Sequence, residues 1–387
     1  MSLSVSKRTK FLSQSEIRNM SIECDKTGGI NLSQGVCDLE CPDPVKKGAH
    51  SAIDSGINHY TRYDGLGELR KAIAAKEWKY NQIKADFEKN IIVSAGATGA
   101  FYCACLALLN PGDEVIIFAP FYGYHVNTLL AADAIPKYVK MEPPNWNIDF
   151  HLLEKAVTKK TKGIMINTPA NPSGKIFSRD ELTKIADFCN SYNLFIFTDE
   201  IYEYFVYDGY KHISPASIKK NWHRTITISG HSKTFSITGW RVGYCICDEK
   251  WAKMIGYIND LIYVCAPAPL QIGVAYGINE LSDEFYQSVK RQYQLKRDKI
   301  CPILEKVGLS PIIPKGAYYI LANAKKLPGE NSKEKAMYLL KKAKVASVPG
   351  SAFYHDNSGE HLLRFCFAKD DDVLDIACKN LINNLNT

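Results

Sequence analysis

At 387 residues the chain exceeds what one hydrophobic core usually serves, so two domains are expected. Its 46% apolar and 23% charged residues suit a globular protein with a large core. The formal charge of +7 is spread thinly, in runs no longer than pairs such as Lys219-Lys220 and Lys341-Lys342, which argues against a nucleic-acid binder. No apolar run reaches the length of a membrane span, about 18 residues. The segment Met1 to Lys10 is polar and basic, so no signal peptide is expected either. Twelve cysteines contain no Cys-x-x-Cys pair, and most stand in apolar contexts, as Cys103 and Cys105 do. They point to free buried thiols in a reducing cytoplasm. The nine histidines show no ligand spacing, and no metal is expected.

Along the chain, a short helix is expected around Ser15 to Cys24, closed by Gly28-Gly29. Ile30 to Gly35 reads as a short strand, and its terminal glycine serves either a turn or a close backbone approach. A helix follows from about Pro44 to Ser55, then a run from His59 to Arg70 in which tyrosines precede a glycine-rich turn. Ile91 to Ser94 is a strand, and Ala95-Gly96-Ala97-Thr98-Gly99-Ala100 opens an apolar helix running to Leu109. A strand, a small-residue turn and a helix start put free N–H groups and a positive helix end at one spot, which suits phosphate. Small residues there also suit close packing.

The strand Glu114 to Phe118 leads to Phe121 and Tyr122 just past its end, where open α/β sheets place their sites. A connection over 145–161 carries a helix from about Asp149. The strand Gly163 to Asn167 runs into Asn171-Pro172-Ser173-Gly174, which taken alone fits a plain turn. Ser178 to Glu181 forms a capping box for a helix whose apolar face is Leu182, Ile185, Phe188 and Cys189. The apolar strand Leu194 to Phe197 ends in Thr198-Asp199, so Asp199 should be partly buried and needs a cation or donor. Strands alternating with helices predict a mainly parallel sheet with helices on both faces. Beyond Asp248 come helices over about 251–263, 270–281 and 283–307, then a smaller α/β unit with strand and turn elements at 316–320 and 348–353 and an apolar strand at 362–368. Arg364 sits there among apolar residues and needs an anionic partner if buried, whether a structural carboxylate or a ligand.

The most informative stretch follows the β-branched strand Thr225 to Ile228. It reads Ser229-Gly230-His231-Ser232-Lys233-Thr234-Phe235-Ser236-Ile237-Thr238-Gly239-Trp240-Arg241-Val242-Gly243-Tyr244. A lysine in a turn past a strand end, with an arginine eight residues on, suits a phosphorylated aldehyde: the amine forms a Schiff base and the guanidinium grips the phosphate. The stretch closely resembles the pyridoxal 5′-phosphate (PLP) attachment site of class I/II aminotransferases, departing at His231, where an apolar residue is usual. The resemblance runs from about Gly35 to Leu381 and implies fold type I.

It further implies a large PLP-binding domain over 46–280 and a small domain of 1–45 with 281–387. Lys233 becomes the Schiff-base lysine. The phosphate falls to Ala97, Thr98, Ser232 and Arg241, joined by Tyr60 from a partner subunit, hence a homodimer with shared sites. Tyr122 stacks on the pyridine, with Phe121 the alternative one residue away. Asp199 pairs with the ring nitrogen, Asn171 and Tyr202 with the phenolate oxygen. The substrate α-carboxylate goes to Arg364 and the Gly35 backbone, with Asn171 beside it. The implied reaction is ping-pong transfer of an amino group from an L-amino acid to a 2-oxo acid. A PLP-dependent carbon–sulfur β-lyase would use the same constellation. An aminotransferase-like DNA-binding regulator is not expected, because too little chain precedes Gly35 for a helix-turn-helix domain. Some aspartate-preferring members carry lysine where Thr98 stands, so a strictly acidic preference is not expected.

Overall fold

The computed structural model describes residues 3–11, 14–218 and 220–385; Lys219 of the pair noted above lies outside them. Its strands are β1 (Ile30–Asn31), β2 (Ile91–Ala95), β3 (Glu114–Ala119), β4 (Ile135–Lys140), β5 (Thr161–Asn167), β6 (Phe195–Asp199), β7 (Thr225–Ser229), β8 (Val242–Ile246), β9 (Ser310–Ile312), β10 (Tyr319–Asn323), β11 (Val345–Ala346), β12 (Val348–Pro349) and β13 (Leu362–Cys366). Seven of them form one sheet in the order β2-β8-β7-β6-β5-β3-β4. All pairs are parallel except those of β8, which runs antiparallel to both neighbours. The expected mainly parallel sheet is present, with one reversed strand.

Alternate residues of β2 and β8 show why both faces must be covered. Ile92 and Cys245 join a core with Phe101, Ala104 and Ile255, whereas Ile91, Val93, Val242 and Tyr244 join another with Leu69, Ile73 and Val274. The helices that supply these residues are α3 (Gly67–Lys76), α4 (Gly96–Leu108), α8 (Glu249–Tyr263) and α9 (Ala268–Glu280) in the chain order α1–α12, of which α1 is Glu16–Thr27 and α7 is Arg179–Ser191. Local chemistry sets their ends as expected. Ser178 and Glu181 make the reciprocal capping box of α7, while Ser15 caps α1 and Gly28 closes it in the left-handed conformation.

A second sheet, β12-β13-β10-β9, carries Arg364 in register with Leu321 and Val348. β1 pairs in parallel with β11, tying the N-terminal segment to this C-terminal unit. Three details of the strands are set here. The strand placed at Ile30 to Gly35 stops at Asn31, because the Asn31 side chain accepts from the Ser33 and Gln34 N–H groups at 3.0 and 3.1 Å and turns the chain. In the strand and turn element placed at 316–320, the strand itself begins only at Tyr319. The N–H groups of Gly316 and Ala317 go instead to the carbonyls of Gly174 and Phe205, both at 2.9 Å. And β4 was not expected at all; its Pro136 and lysines mark a sheet edge rather than a buried strand.

The turn after β7 packs on the core that holds Phe235 and Tyr244. His231 lies in it fully buried, stacked on Phe235 at 4.7 Å, and neither ring nitrogen has a hydrogen-bond partner among the described residues. It fills an apolar position as a flat ring, and burial, aided by the Lys76 charge, holds its pKa well below the ordinary histidine value. The folded form therefore resists the proton that the unfolded chain accepts below about pH 6.5. Stability should fall as pH drops through that value, by at most about 1.4 kcal/mol per pH unit for this one group. In thermal denaturation between pH 7.5 and 5, the Tm advantage of His231→Phe over the parent should widen below pH 6.5. Parallel curves would show that His231 is not the group responsible.

Candidate active site

Parallel strands bring their C-terminal ends to one edge, and the candidate residues follow from that. Tyr122 lies beyond β3, Asn171 beyond β5, Asp199 at the end of β6, and Ser232 and Lys233 beyond β7. The reversed strand β8 begins where β7 and β2 end, with Tyr244 opposite Ser229 and Val242 opposite Ala95. Arg241, just before β8, thus reaches the same edge as Ala97 and Thr98 in the first turn of α4. Gly243 makes the closest approach possible, since a Cβ there would stand 2.3 Å from the Ala97 nitrogen.

A cavity of about 630 Å³ opens at this edge. It is lined by Gly35, Ala97, Thr98, Tyr122, Asn171 and Asp199, and by Tyr202, Ser232, Lys233, Arg241 and Arg364. Tyr60 is not brought there; it is 84% exposed on the surface of the chain. Phe121 is buried against Tyr138 at 5.2 Å and does not line this cavity, whereas Tyr122 does.

Lys233 donates to the Gly35 carbonyl at 3.0 Å, and burial lowers its pKa below the ordinary lysine value. The same carbonyl accepts from Tyr318 at 3.2 Å. Gly35 is glycine for close approach rather than for a simple turn, because a Cβ would overlap the Tyr319 hydroxyl at 1.9 Å. Two residues earlier, the Ser33 carbonyl accepts from Arg364 Nη2 at 2.5 Å. The strap 33–35 therefore holds both cations.

Asp199 Oδ1 accepts from the Ile201 N–H at 3.1 Å, and Oδ2 accepts from His125 Nε2 at 2.8 Å. Tyr202 and Tyr319 share a hydrogen bond of 3.0 Å between hydroxyls, and burial keeps both phenols protonated. Asn171 Oδ1 accepts from Arg364 Nη1 at 2.9 Å. Arg364 is fully buried between the rings of Tyr319 and Phe353, 4.3 and 4.9 Å from their centroids, and its Nε has no partner among the described residues. No carboxylate among the described residues pairs with it, so the structural salt bridge is not what keeps it there.

Sequence reasoning missed His125, Tyr319 and Asn167, whose amide Oδ1 accepts from the Asn171 N–H at 2.7 Å. His125 lies one helical turn after Tyr122 without any motif to mark it. Tyr319 had a signal: tandem tyrosines in an apolar segment need partners for their hydroxyls.

The cavity offers an amine of lowered pKa, a buried carboxylate, and the first-turn amides of α4 beside Ser232 and Arg241. Arg241 donates to the Thr238 carbonyl at 3.0 Å and has no carboxylate partner among the described residues. These donors fit a phosphorylated aldehyde on a protonated ring. Comparison with known proteins agrees. The family model for aminotransferase class I and II matches residues 27–381. The chain belongs to the class I and II aminotransferases.

This aminotransferase is 36% identical to human kynurenine–oxoglutarate transaminase 3, covering 90% of this chain and 83% of that one. It is also 36% identical to aspartate aminotransferase of Pyrococcus abyssi, over 97% and 96% of the two chains. The N-succinyldiaminopimelate aminotransferase of Mycobacterium tuberculosis superposes with a TM-score of 0.94 at 31% identity, over 98% and 99%. Members of the family use PLP, and this chain is an enzyme of amino-group transfer; the carbon–sulfur lyase alternative is not favoured by these relatives. Among the described residues, no helix is long and apolar enough to cross a membrane.

Proposed function

We propose that the enzyme moves the amino group of an L-amino acid to 2-oxoglutarate through the cavity residues described above. The observation that carries this reading is the meeting, in one cavity, of the Lys233 amine, the buried Asp199 carboxylate and the carboxylate-free guanidinium of Arg364. Names of relatives support the acceptor, and the apolar wall of Ile17, Ile22 and Phe101 supports donors with apolar or aromatic side chains.

When bound, PLP supplies an electron-withdrawing ring that stabilises negative charge at the substrate Cα. Ala97 and Thr98 amides, the Ser232 hydroxyl and Arg241 would hold its phosphate, as donors without a protein anion to satisfy. Asp199 would accept from the ring nitrogen, with His125 orienting the carboxylate from its other side. Asn171 and Tyr202 would donate to the ring oxygen, and Tyr122 would cover the ring face. Arg364 would clamp the substrate α-carboxylate with two parallel bonds, joined by the Gly35 N–H. Lys233 would then take the proton from the substrate Cα, and its burial-lowered pKa raises the fraction of neutral amine available as base near neutral pH.

We also infer a homodimer in which Tyr60 serves the neighbouring site. Its exposure supports this, as do Tyr257, Leu261, Ile262 and Val264, large apolar side chains left open at the end of α8. The Tyr63 and Tyr257 rings lie 5.8 Å apart, which ties the segment carrying Tyr60 to α8. The division into 46–280 and 1–45 with 281–387 is supported by the β1–β11 pairing. Twelve unpaired cysteines support a reducing cytoplasm.

Purified protein loaded with PLP should absorb in the visible, and borohydride should fix the chromophore on the peptide bearing Lys233. Protein that stays colourless in excess PLP would refute the reading. Mixing Tyr60→Phe with Lys233→Ala subunits should regenerate activity, because each hybrid dimer contains one site with both residues native. Verified hybrids without recovered activity would mean that each subunit is self-contained.

A further inference from the structure

Among the described residues, four lysine or arginine side chains line the cavity: Arg18, Lys233, Arg241 and Arg364. The reading above uses three of them. Arg18 stands apart on α1, exposed, and its guanidinium has no hydrogen-bond or ion-pair partner among the described residues. Neighbouring carboxylates on that helix are engaged elsewhere. Glu16 bonds Lys333 at 3.3 Å and Asn19 at 3.2 Å, and Glu23 bonds Lys26 at 2.7 Å. Asp25 also lines the cavity, but seven residues further on, about 10 Å along the helix axis at 1.5 Å per residue.

Helix geometry makes Arg18 part of a wall rather than a stray surface cation. Met20 and Cys24 bury one face of α1 in the core of the second sheet, and Ile17, Arg18, Ser21 and Ile22 then face the cavity as two i, i+4 pairs. Caps at Ser15 and Gly28 fix both ends of that wall. Thr98, on the opposite helix start, brings no charge.

A dicarboxylic 2-oxo acid carries a second carboxylate that also needs a cation. We propose that Arg18 binds the distal carboxylate of such an acceptor, while Arg364 holds the α-carboxylate. Arg18 is then the residue that sets the preference for a diacid over a monocarboxylic 2-oxo acid. This inference rests on the reading that Arg364 holds the α-carboxylate. Lys233 and Arg241 are committed to the cofactor in that reading, so among the described residues of one subunit the cavity leaves Arg18 for the task.

The test compares 2-oxoglutarate with pyruvate as acceptors for the PLP-loaded enzyme and its Arg18→Met and Arg18→Lys variants. The ratio of kcat/KM for 2-oxoglutarate to that for pyruvate should fall about 10- to 100-fold in Arg18→Met, mainly through KM, with partial recovery in Arg18→Lys. Calorimetric binding should show the same contrast, with glutarate weakened by Arg18→Met and butyrate not. An unchanged ratio, or an equal loss on both acceptors, overturns the assignment of Arg18 while leaving transamination itself intact. Wild-type enzyme that transfers to neither acceptor overturns the underlying reading, and the Arg18 assignment with it.

Discussion

The structure depends on a buried guanidinium that meets no carboxylate among the described residues. Arg364 sits in the middle strand pair of the second sheet, and its bonds go to the neutral oxygens of Ser33 and Asn171. Aromatic faces on either side add about 0.5–2 kcal/mol each of attraction to a cation. None of these neutralises the charge. A charge removed from water without a counter-ion is costly, and folds retain one chiefly where a ligand completes it. The interactions of Arg364 also join parts distant in sequence: the N-terminal strap, the loop after β5 and the second sheet.

That strap links the two halves of the chemistry. Within three residues, the Ser33 carbonyl orients Arg364 and the Gly35 carbonyl orients Lys233. The chain can turn so sharply because Asn31 ends its strand and Gly35 has no Cβ to strike Tyr319. On the other side, the reversed strand β8 gives the sheet something a fully parallel one lacks. Its beginning, not its end, lies at the edge where the other strands finish, so Arg241 arrives beside Lys233 and the start of α4. Gly243 permits that contact.

Much of this was legible in the residues themselves. Apolar strands ending in Asn167, Asp199 and Ser229 announced a row of side chains at one sheet edge, and the lysine stretch carried the resemblance that proposes a chemistry for them. Arg364 was visible as an anomaly in an apolar strand, though its lack of a carboxylate was not, since that depends on what packs around it. The edge strand β4 was hidden by Pro136 and its lysines, which break the apolar run expected of a strand. His125 carries no local sign because its partner, Asp199, lies 74 residues away in the chain. His231 shows the converse: an expected apolar position holds a histidine, and stacking on Phe235 lets the ring serve as one.

The most direct measurement is the kinetics of Arg364→Ala with amino-acid donors, taken together with its PLP content and its thermal unfolding. If the guanidinium is kept for the substrate carboxylate, the variant folds, holds PLP, and loses about 2–5 kcal/mol of transition-state stabilisation in kcat/KM. Arg364→Lys should then recover little, because an ammonium cannot reproduce a planar two-bond fork. A folded Arg364→Ala enzyme that turns over amino acids at near wild-type efficiency would contradict the account, as would a variant that loses its fold and its PLP together.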